Sequence, residues 1–263
     1  MPVLDVKDLS VTFGGLKAVN QFSLDMPKGG LIGLIGPNGA GKTTVFNLLT
    51  GVYKPNSGTM ELEAENGQTV SLIGSEPWKI ARLGMTRTFQ NIRLFKRMTV
   101  LDNVKVSIHP GVKYNPFQAM LRLPVYRREE ERIDQQAMEL LELLGLQDKA
   151  EEMAASLPYG EQRKLEIARA LGARPKILLL DEPAAGMNPQ ETKELTSLIR
   201  TIRDKLDITI LLIEHDMSLV MSICERLLVL DYGTLIADGS PEEIRTNPQV
   251  IKAYLGEEVG GSC

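Results

Sequence analysis

One nine-residue stretch, Gly36-Pro-Asn-Gly-Ala-Gly-Lys-Thr-Thr44, constrains the fold of this chain more strongly than any other feature. It has the pattern G-x-x-x-x-G-K-[ST]. An apolar run of strand length, residues 31–35, precedes it, and an apolar-faced helical pattern, residues 45–50, follows it. A strand before and a helix after are the context in which this pattern holds phosphate. We therefore predict a triphosphate-binding loop on an α/β scaffold.

The residue types of this loop account for the predicted chemistry. Glycines let the backbone curl so that several N–H groups point inward, and the following helix adds the positive end of its dipole. Lys42 is expected to reach the β- and γ-phosphates, and the hydroxyl of Thr43 to bind Mg²⁺. The predicted phosphate-binding residues of the loop are Gly36, Asn38, Gly39, Ala40, Gly41, Lys42, Thr43 and Thr44.

Two adjacent carboxylates follow another apolar run later in the chain. Asp181 and Glu182 come directly after residues 177–180, which have the composition of a buried strand. In a parallel α/β sheet, ligands bind at the carboxyl ends of the strands. We expect Asp181 to hold Mg²⁺ through water and Glu182 to polarise the attacking water in an in-line hydrolysis. The alternative is that both acids only cap the following helix.

Composition and charge limit the class of protein. The chain has 263 residues, 43% of them apolar, which is enough for one large domain or a domain with an inserted lobe. Its net charge is −4, which argues against a dominant nucleic-acid-binding face. The two cysteines, Cys224 and Cys263, have no metal-ligand spacing and suit a reducing cytosol. No long apolar segment or secretion pattern is present, so we expect any membrane role to come through a partner.

Periodicity predicts two kinds of structure. Continuous apolar runs alternate with helical patterns, which favours a parallel sheet covered by helices; these runs are residues 177–180, 208–213 and 227–230. Short alternating runs between residues 4 and 26, separated by glycine and proline turns, predict antiparallel strands. From about residue 99 to 173 there are helix patterns and no strand pattern. Within this region, the proline-containing stretch 109–124 is predicted to be a long loop or a broken helix.

With these motifs in place, the chain resembles the ATPases of ATP-binding-cassette (ABC) transporters over nearly its whole length. The signature motif of that family, usually Leu-Ser-Gly-Gly-Gln, corresponds to Leu157-Pro-Tyr-Gly-Glu161. The resemblance implies that Tyr159, Gly160 and Glu161 contact the ATP bound by the opposite subunit. Pro158 and Glu161 depart from the motif, which removes the serine hydroxyl and leaves more of the binding to backbone N–H groups around Gly160.

Other family positions match individually. The resemblance implies that Phe13 stacks on adenine, although its residue type also suits a core position. It implies that Gln90 senses Mg²⁺ and relays to the helical region. His215 corresponds to the switch histidine that contacts the γ-phosphate, so the implied catalytic pair is Glu182 and His215. Asn188 stands where aspartate is commoner in the loop that couples the two subunits' sites.

The resemblance also implies the fold and its division. We expect an α/β fold, with a RecA-like P-loop core built on a parallel sheet, an N-terminal antiparallel β portion and an inserted helical subdomain. The whole chain, 1–263, would be a single ABC ATPase domain. Its expected parts are an α/β nucleotide-binding core of residues 1–90 and 174–240, a helical subdomain of residues 91–173 with the signature motif, and a C-terminal helical extension of residues 241–263.

A closer resemblance is to the ATPase subunit of branched-chain amino-acid importers. It rests on residues 36–50, 87–95, 183–194, 211–217 and 247–256, and on the proline-containing stretch. The resemblance implies ATP and Mg²⁺ as cofactors and a dimer with a second copy or a paralogue. It further implies transmembrane permease subunits, an indirectly coupled periplasmic or extracellular solute-binding protein, and no nucleic acid. The expected location is the cytoplasmic face of the inner or plasma membrane of a bacterium or archaeon, as a peripheral subunit.

Several alternatives remain open at this point. The same ATPase role could serve urea, amides or another solute, or a lipid or lipopolysaccharide exporter. A soluble ABC ATPase acting on DNA or ribosomes usually has two cassettes or coiled-coil insertions, which this chain lacks. A P-loop kinase or GTPase would give Gly160 and His215 no role, and the guanine-specifying Asn-Lys-x-Asp is absent.

One feature does not depend on the resemblance. Between Lys79 and Lys105 there are seven basic residues and one acid, Asp102, in an otherwise acidic chain. We expect either an ordinary solvated face or a surface that meets a membrane partner's cytoplasmic helix or anionic headgroups.

Overall fold

The computed structural model describes residues 2–64, 67–112 and 114–259. Its strands form a six-stranded sheet and a four-stranded sheet. In chain order the strands are β1 (Leu4–Phe13), β2 (Leu16–Met26), β3 (Leu31–Ile35), β4 (Ser57–Glu63), β5 (Thr69–Ser71), β6 (Met85–Arg87), β7 (Ile177–Asp181), β8 (Thr209–Ile213), β9 (Arg226–Asp231) and β10 (Thr234–Gly239).

The larger sheet has the strand order β10-β9-β3-β8-β7-β6. All neighbours in it are parallel except β9 and β10, which are antiparallel. Every residue of β3, β7 and β8 is buried, as expected for parallel strands covered on both faces. β3 leads into the glycine loop and β7 ends at Asp181, so the predicted phosphate-binding loop and the two predicted site carboxylates lie at the same edge of the sheet.

The smaller sheet is antiparallel and has the order β2-β1-β4-β5. In the long β1–β2 pair, Leu4 faces Met26 at one end and Phe13 faces Leu16 at the other. This confirms the predicted N-terminal antiparallel portion.

Ten α-helices complete the described part of the chain. They are α1 (Lys42–Leu49), α2 (Pro77–Arg82), α3 (Val100–Ile108), α4 (Pro116–Met120), α5 (Pro124–Leu143), α6 (Tyr159–Gly172), α7 (Pro189–Leu206), α8 (Met217–Ile223), α9 (Pro241–Thr246) and α10 (Pro248–Val259). Among the residues that the structure describes, no helix combines the length and the apolar character needed to cross a bilayer.

Helices α3 to α6 follow one another between β6 and β7, where a helical region is predicted. In the described residues of the proline-containing stretch, a 3-10 turn at His109–Gly111 and α4 precede α5, which agrees with the expected broken helix. Gly145 follows α5 with a φ of 69°, which suits glycine just beyond a helix end.

Two buried clusters lie on opposite faces of the larger sheet. Ile32 and Leu34 of β3 belong to a cluster that also contains Phe22 of the smaller sheet and Phe46 of α1. Leu31 belongs to the other cluster, which joins the sheet to α3 and to α5 through α8. The alternation along β3 follows from the two-residue period of a strand. The glycine loop therefore starts from a strand that is fixed on both faces.

The prediction does not include β6 and β10. β6 is only three residues long and pairs with β7, which is too little sequence for a periodic signal. β10 lies at the edge of the larger sheet and none of its residues is buried, so it lacks the apolar run of the inner strands.

Candidate active site

The glycine loop, residues 36–44, has two positions where only glycine fits. Gly36 and Gly41 have φ values of 144° and 102°. A Cβ atom on Gly36 would lie 2.0 Å from the carbonyl oxygen of Leu230, and one on Gly41 would lie 2.7 Å from that of Ala18. Both distances are far below van der Waals contact, so the packing of the loop against β9 and β2 requires glycine at both positions.

The side chain of Lys42 folds back over this loop. Its Nζ donates to the carbonyl oxygens of Gly36 and Pro37, at 2.6 and 2.9 Å. No side chain caps the start of α1, so its first backbone N–H groups are available to an anion. Thr43, in the first turn, is exposed. The loop thus presents an ammonium group, uncapped N–H groups and a hydroxyl, which is the donor set that a polyphosphate needs.

Asp181 is almost fully buried at the end of β7. Nη2 of Arg87 lies 2.5 Å from its Oδ2, and Nη1 of Arg87 donates to Oδ1 of Asn47 at 2.6 Å. The guanidinium also lies 5.4 Å from the ring centres of Phe46 and Phe89. Since a buried carboxylate is costly without a partner, Arg87 is what allows Asp181 to sit at this position.

Glu182 lies between two other predicted site residues. Its backbone has a φ of 46°, which is uncommon for a residue with a side chain, and its N–H donates to Ile213 at 2.9 Å. Nε2 of Gln90 donates to its Oε2 at 2.9 Å, and Nδ1 of His215 lies 3.9 Å from the same oxygen. The structure therefore brings Gln90, Glu182 and His215 together around one carboxylate.

Glu214, next to His215, is a buried carboxylate that the sequence analysis did not select. Its Oε1 accepts from the N–H of Ala184 at 2.8 Å, and its Oε2 accepts from the N–H of His215 at 3.3 Å. Burial raises the pKa of Glu214, and those backbone N–H groups oppose the shift. Glu214 thus ties the turn after Glu182 to the segment that carries His215.

A buried ion pair on α6 holds the loop that carries Gln90. Oε1 of Glu166 accepts from the N–H groups of Phe89 and Arg93, each at 3.3 Å. Arg163 donates to the carbonyl oxygens of Phe89, at 2.7 Å, and of Gln90. The two charged side chains lie 3.2 Å apart and are 2% and 5% exposed. We call this pair with its four backbone bonds the α6 clamp.

The start of α6 carries the predicted signature residues. Tyr159 is half exposed, and its hydroxyl accepts from Nη2 of Arg163 at 3.0 Å, which links it to the α6 clamp. Glu161 pairs with Lys149 at 2.6 Å. Gly160 lies in the first turn, and no side chain caps the helix. Its backbone N–H groups are therefore as available to an anion as those of α1.

Phe13 is not a core residue, because it is 44% exposed. Its ring meets that of Tyr53 edge to face, with ring centres 5.1 Å apart. The alternative of a purely structural core role is therefore wrong, and the exposed ring face remains available for stacking.

The donor set suits Mg²⁺ only together with phosphate. Thr43, Gln90 and Asp181 offer oxygen atoms, which hard cations prefer. Within the described ranges there is no group of three or more His, Cys, Asp or Glu side chains that could hold a metal. Mg²⁺ normally takes one or two protein ligands plus phosphate oxygens, so these residues fit a Mg²⁺-triphosphate and not a free metal site.

The basic stretch from Lys79 to Lys105 is not one solvated face. Arg87 is buried against Asp181, with its side chain 8% exposed, and Lys105 pairs with Asp134. The guanidinium of Arg93 lies 4.0 Å from the ring centre of Phe89. The expectation of an ordinary solvated face is therefore wrong for Arg87, whose side chain pairs with a buried carboxylate.

Comparison with known proteins agrees with this geometry. A family model of ABC transporters matches residues 19–185, and a model of branched-chain amino acid ATP-binding cassette transporters matches residues 234–260. The high-affinity branched-chain amino acid transport ATP-binding protein LivG of Salmonella typhimurium is 51% identical over 97% of this chain and 98% of its own length. The corresponding protein BraF of Pseudomonas aeruginosa is 49% identical, with the same coverage.

Solved structures show the same fold. The ADP conformation of MJ1267, an ATP-binding cassette of an ABC transporter, has a TM-score of 0.82 and 31% identity, covering 97% of this chain and 99% of that one. A nucleotide-free ATP-binding cassette from an ABC transporter has a TM-score of 0.81 and 32% identity, with the same coverage. These likenesses confirm the predicted P-loop α/β fold. Together with the family model and the 51% identical relative, they establish that this chain belongs to the ABC transporter family, as one of its ATP-hydrolysing cassettes.

Proposed function

We propose that this chain is the ATPase subunit of an importer of branched-chain amino acids. The observation that carries the substrate class is the 51% identity, along 97% of the chain, to a protein named for branched-chain amino acid transport. The second family model, over residues 234–260, supports the same class. ATP binding and hydrolysis follow from family membership.

The site residues take the following proposed roles. Lys42 and the N–H groups of the glycine loop bind the β- and γ-phosphates, and the ring of Phe13 stacks on adenine. Thr43, Gln90 and Asp181 would hold Mg²⁺, directly or through water, and the metal would neutralise charge on the phosphates. The proposed phosphate contacts from the loop are Gly36, Asn38, Gly39, Ala40, Gly41, Lys42, Thr43 and Thr44. Across the dimer, Tyr159, Gly160 and Glu161 contact the partner's ATP.

Hydrolysis then follows from the arrangement around Glu182. This carboxylate accepts a proton from water as the water oxygen attacks the γ-phosphorus in line with the leaving ADP oxygen. Gln90 donates to Oε2 of Glu182, which leaves Oε1 for the water. His215, exposed beside the same carboxylate, would donate to the γ-phosphate. The bonded contact between Gln90 and Glu182 supports a relay from the α6 clamp to the general base.

The proposed assembly is a dimer in which each site takes the glycine loop of one subunit and the start of α6 of the other. We keep the division into a core of residues 1–90 and 174–240, a helical subdomain of residues 91–173 and an extension of residues 241–263. Transmembrane permease subunits, an indirectly coupled solute-binding protein and the cytoplasmic face of a bacterial or archaeal membrane complete the proposal. ATP closes the dimer, hydrolysis opens it, and the change is passed to the permease.

Uptake measurements test the substrate class. Cells of the source organism that lack this gene should lose uptake of labelled leucine and keep uptake of labelled urea. The wild-type gene should restore leucine uptake, and a Lys42→Ala copy should not. Loss of urea uptake alone would assign the subunit to a urea or amide importer. Loss of neither would contradict an importer for these solutes and favour another solute or a lipid exporter.

A further inference from the structure

One region of the helical segment has an unusual charge distribution. Between Asp102 and Glu129 the sequence contains no aspartate or glutamate, whereas the whole chain has a net charge of −4. The same interval contains five basic residues, Lys105, Lys113, Arg122, Arg127 and Arg128. Three of these lie in the segment of residues 114–128, which includes α4 and the start of α5. We call residues 114–128 the proline-flanked segment.

The proline-flanked segment also exposes large apolar side chains. Phe117 is 66% exposed and Met120 is 82% exposed, both on α4. Leu121 and Val125, which follow at the junction with α5, are 53% and 47% exposed. Scattered apolar residues on a surface are ordinary, but a local group of this size marks a surface that meets another apolar phase or molecule.

The base of the segment is held to the protein. Tyr114 donates to Oε1 of Glu130 at 2.8 Å, and its ring meets that of Tyr126 edge to face with centres 5.0 Å apart. Asn115 and Gln118 form a capping box at the start of α4. The exposed apolar side chains therefore belong to a tethered element with its own local structure.

The cationic groups of the segment have no side-chain partner among the residues that the structure describes. Arg122, Arg127 and Arg128 are exposed, and none of their side chains forms an ion pair or hydrogen bond with another described residue. By contrast, Lys105 and Arg132, on either side of the segment, pair with Asp134 and Glu129. The charges in the segment are thus available to a partner outside the chain.

We propose that the proline-flanked segment binds directly to an anionic lipid surface. Phe117, Met120 and Leu121 would enter the boundary between headgroups and acyl chains, and Arg122, Arg127 and Arg128 would meet lipid phosphates. Exposed aromatic and aliphatic side chains next to Lys and Arg are the composition of segments that lie in a membrane interface. The negative potential of a leaflet rich in anionic lipid attracts such a cationic patch.

The charge of the segment favours a lipid surface over an apolar groove of a protein partner. An apolar groove would be satisfied by Phe117, Met120 and Leu121 alone, and it would not need three unpaired arginines beside them. A leaflet supplies an apolar phase and a layer of negative charge at adjacent depths, which matches the two groups of side chains in this segment. Membership of the transporter family places the chain at a membrane, so lipid headgroups are within its ordinary surroundings.

Vesicle flotation with the full-length chain tests the proposal without ATP, so its outcome is independent of the proposed catalytic roles. The chain should float with vesicles of phosphatidylcholine containing about one third phosphatidylglycerol and bind vesicles of phosphatidylcholine alone at least about tenfold less. Raising the salt concentration from about 0.1 M to about 0.5 M should weaken binding, because screening shortens the reach of the arginines. The double variant Phe117→Ser/Met120→Ser and the triple variant Arg122→Gln/Arg127→Gln/Arg128→Gln should each lose at least about tenfold in binding.

The matched control is Tyr232→Ser, which removes an even more exposed ring, 85% exposed, from the turn between β9 and β10. It should bind vesicles as the wild type does, and circular dichroism should show all variants folded. Failure of the wild type to bind anionic vesicles would overturn the proposal, as would binding by both the double and the triple variant that is as strong as that of the wild type. Retention only by membranes that contain the permease would reassign the segment to a protein partner and overturn the lipid assignment.

Discussion

At the scale of single residues, Arg87 and Asp181 show how the site depends on buried charge. Their side chains are 8% and 2% exposed and meet at 2.5 Å. Neither group can return to water without disturbing β6, β7 or the Gln90 loop. The pair therefore couples the metal-holding carboxylate of the proposed mechanism to the strand that precedes Gln90.

Removing Arg87 should be costly because it leaves Asp181 buried without a partner. We expect Arg87→Met to lower the free energy of unfolding by about 3 kcal/mol, measured by urea denaturation. Adding Asp181→Asn to this variant should recover part of the loss, since the unpaired charge is then gone. Arg82→Met, at an exposed position on α2, should change stability by less than about 0.5 kcal/mol. Equal effects of the two single variants would contradict the role given to Arg87.

The pKa of Glu214, raised by burial, predicts how stability depends on pH. Its native pKa lies above the unfolded value of about 4.3. Its contribution to stability is therefore fully present below the unfolded value and is lost as pH rises through the native pKa. Glu214→Gln has no carboxyl group to ionise at this position and therefore does not lose this stability. The free energy of unfolding of the variant, relative to wild type, should rise between about pH 4 and about pH 7.

Urea denaturation at several pH values measures this difference. Glu139→Gln, at an exposed position on α5, is the control and should differ from wild type by a nearly constant amount. The free energy of unfolding of Glu214→Gln, relative to that of the wild type, could instead stay constant or fall as the pH rises. That result would show that burial does not destabilise the ionised carboxylate.

Residues that stand in motifs could be proposed as site residues from the sequence alone, whereas residues whose contribution depends on burial could not. Gly36, Lys42 and Glu182 have spacing and neighbours that identify their chemistry. Glu166 and Glu214 are charged residues whose burial depends on partners distant in sequence. A pattern method assigns charged residues to the surface, because an unpaired charge is rarely buried.

At the scale of elements, the α6 clamp joins helix α6, which carries the predicted signature residues, to the loop that carries Gln90. The clamp consists of four hydrogen bonds from one ion pair to the backbone of Phe89, Gln90 and Arg93. Since Gln90 also donates to Glu182, a displacement of α6 would change the contact made by the proposed general base. The clamp is thus a physical link between the helical segment and the site of hydrolysis.

Amide hydrogen exchange tests the clamp. Glu166→Ala removes the acceptor for two backbone N–H groups, so the amides of Phe89 and Arg93 should exchange at least about tenfold faster. Glu166→Gln keeps an acceptor oxygen and should preserve more of their protection. Glu194→Ala, an exposed change on α7, serves as the control. Unchanged exchange at both amides in Glu166→Ala would show that the loop is held by other contacts.

The elements were predictable where the sequence has long periodic signals. The buried runs of β3, β7, β8 and β9 are apolar throughout or nearly so. β6 and β10 were not predicted because their own residues show no strand-like hydrophobic pattern. They are strands because they pair with neighbouring strands. The Met-Thr-Arg of β6 is a strand only because β7 lies beside it.

At the scale of the whole molecule, the two halves of a complete site lie on separate parts of the chain. The glycine loop, Asp181 and Glu182 share one edge of the larger sheet, whereas Tyr159 and Gly160 begin a helix of the inserted segment. Both helix starts are uncapped and can bind phosphate. This separation supports the proposed dimer, in which each subunit completes the other's site.

Glu182 is the proposed general base of ATP hydrolysis, and turnover by Glu182→Gln at saturating Mg²⁺-ATP tests this role. The glutamine side chain keeps the shape of glutamate and one acceptor oxygen, but it cannot accept the proton of the attacking water. We expect turnover to fall at least about 100-fold, while binding of a fluorescent ATP analogue is retained and Glu139→Gln turns over as the wild type does. Turnover by Glu182→Gln within about twofold of the wild-type rate would show that Glu182 is not the general base.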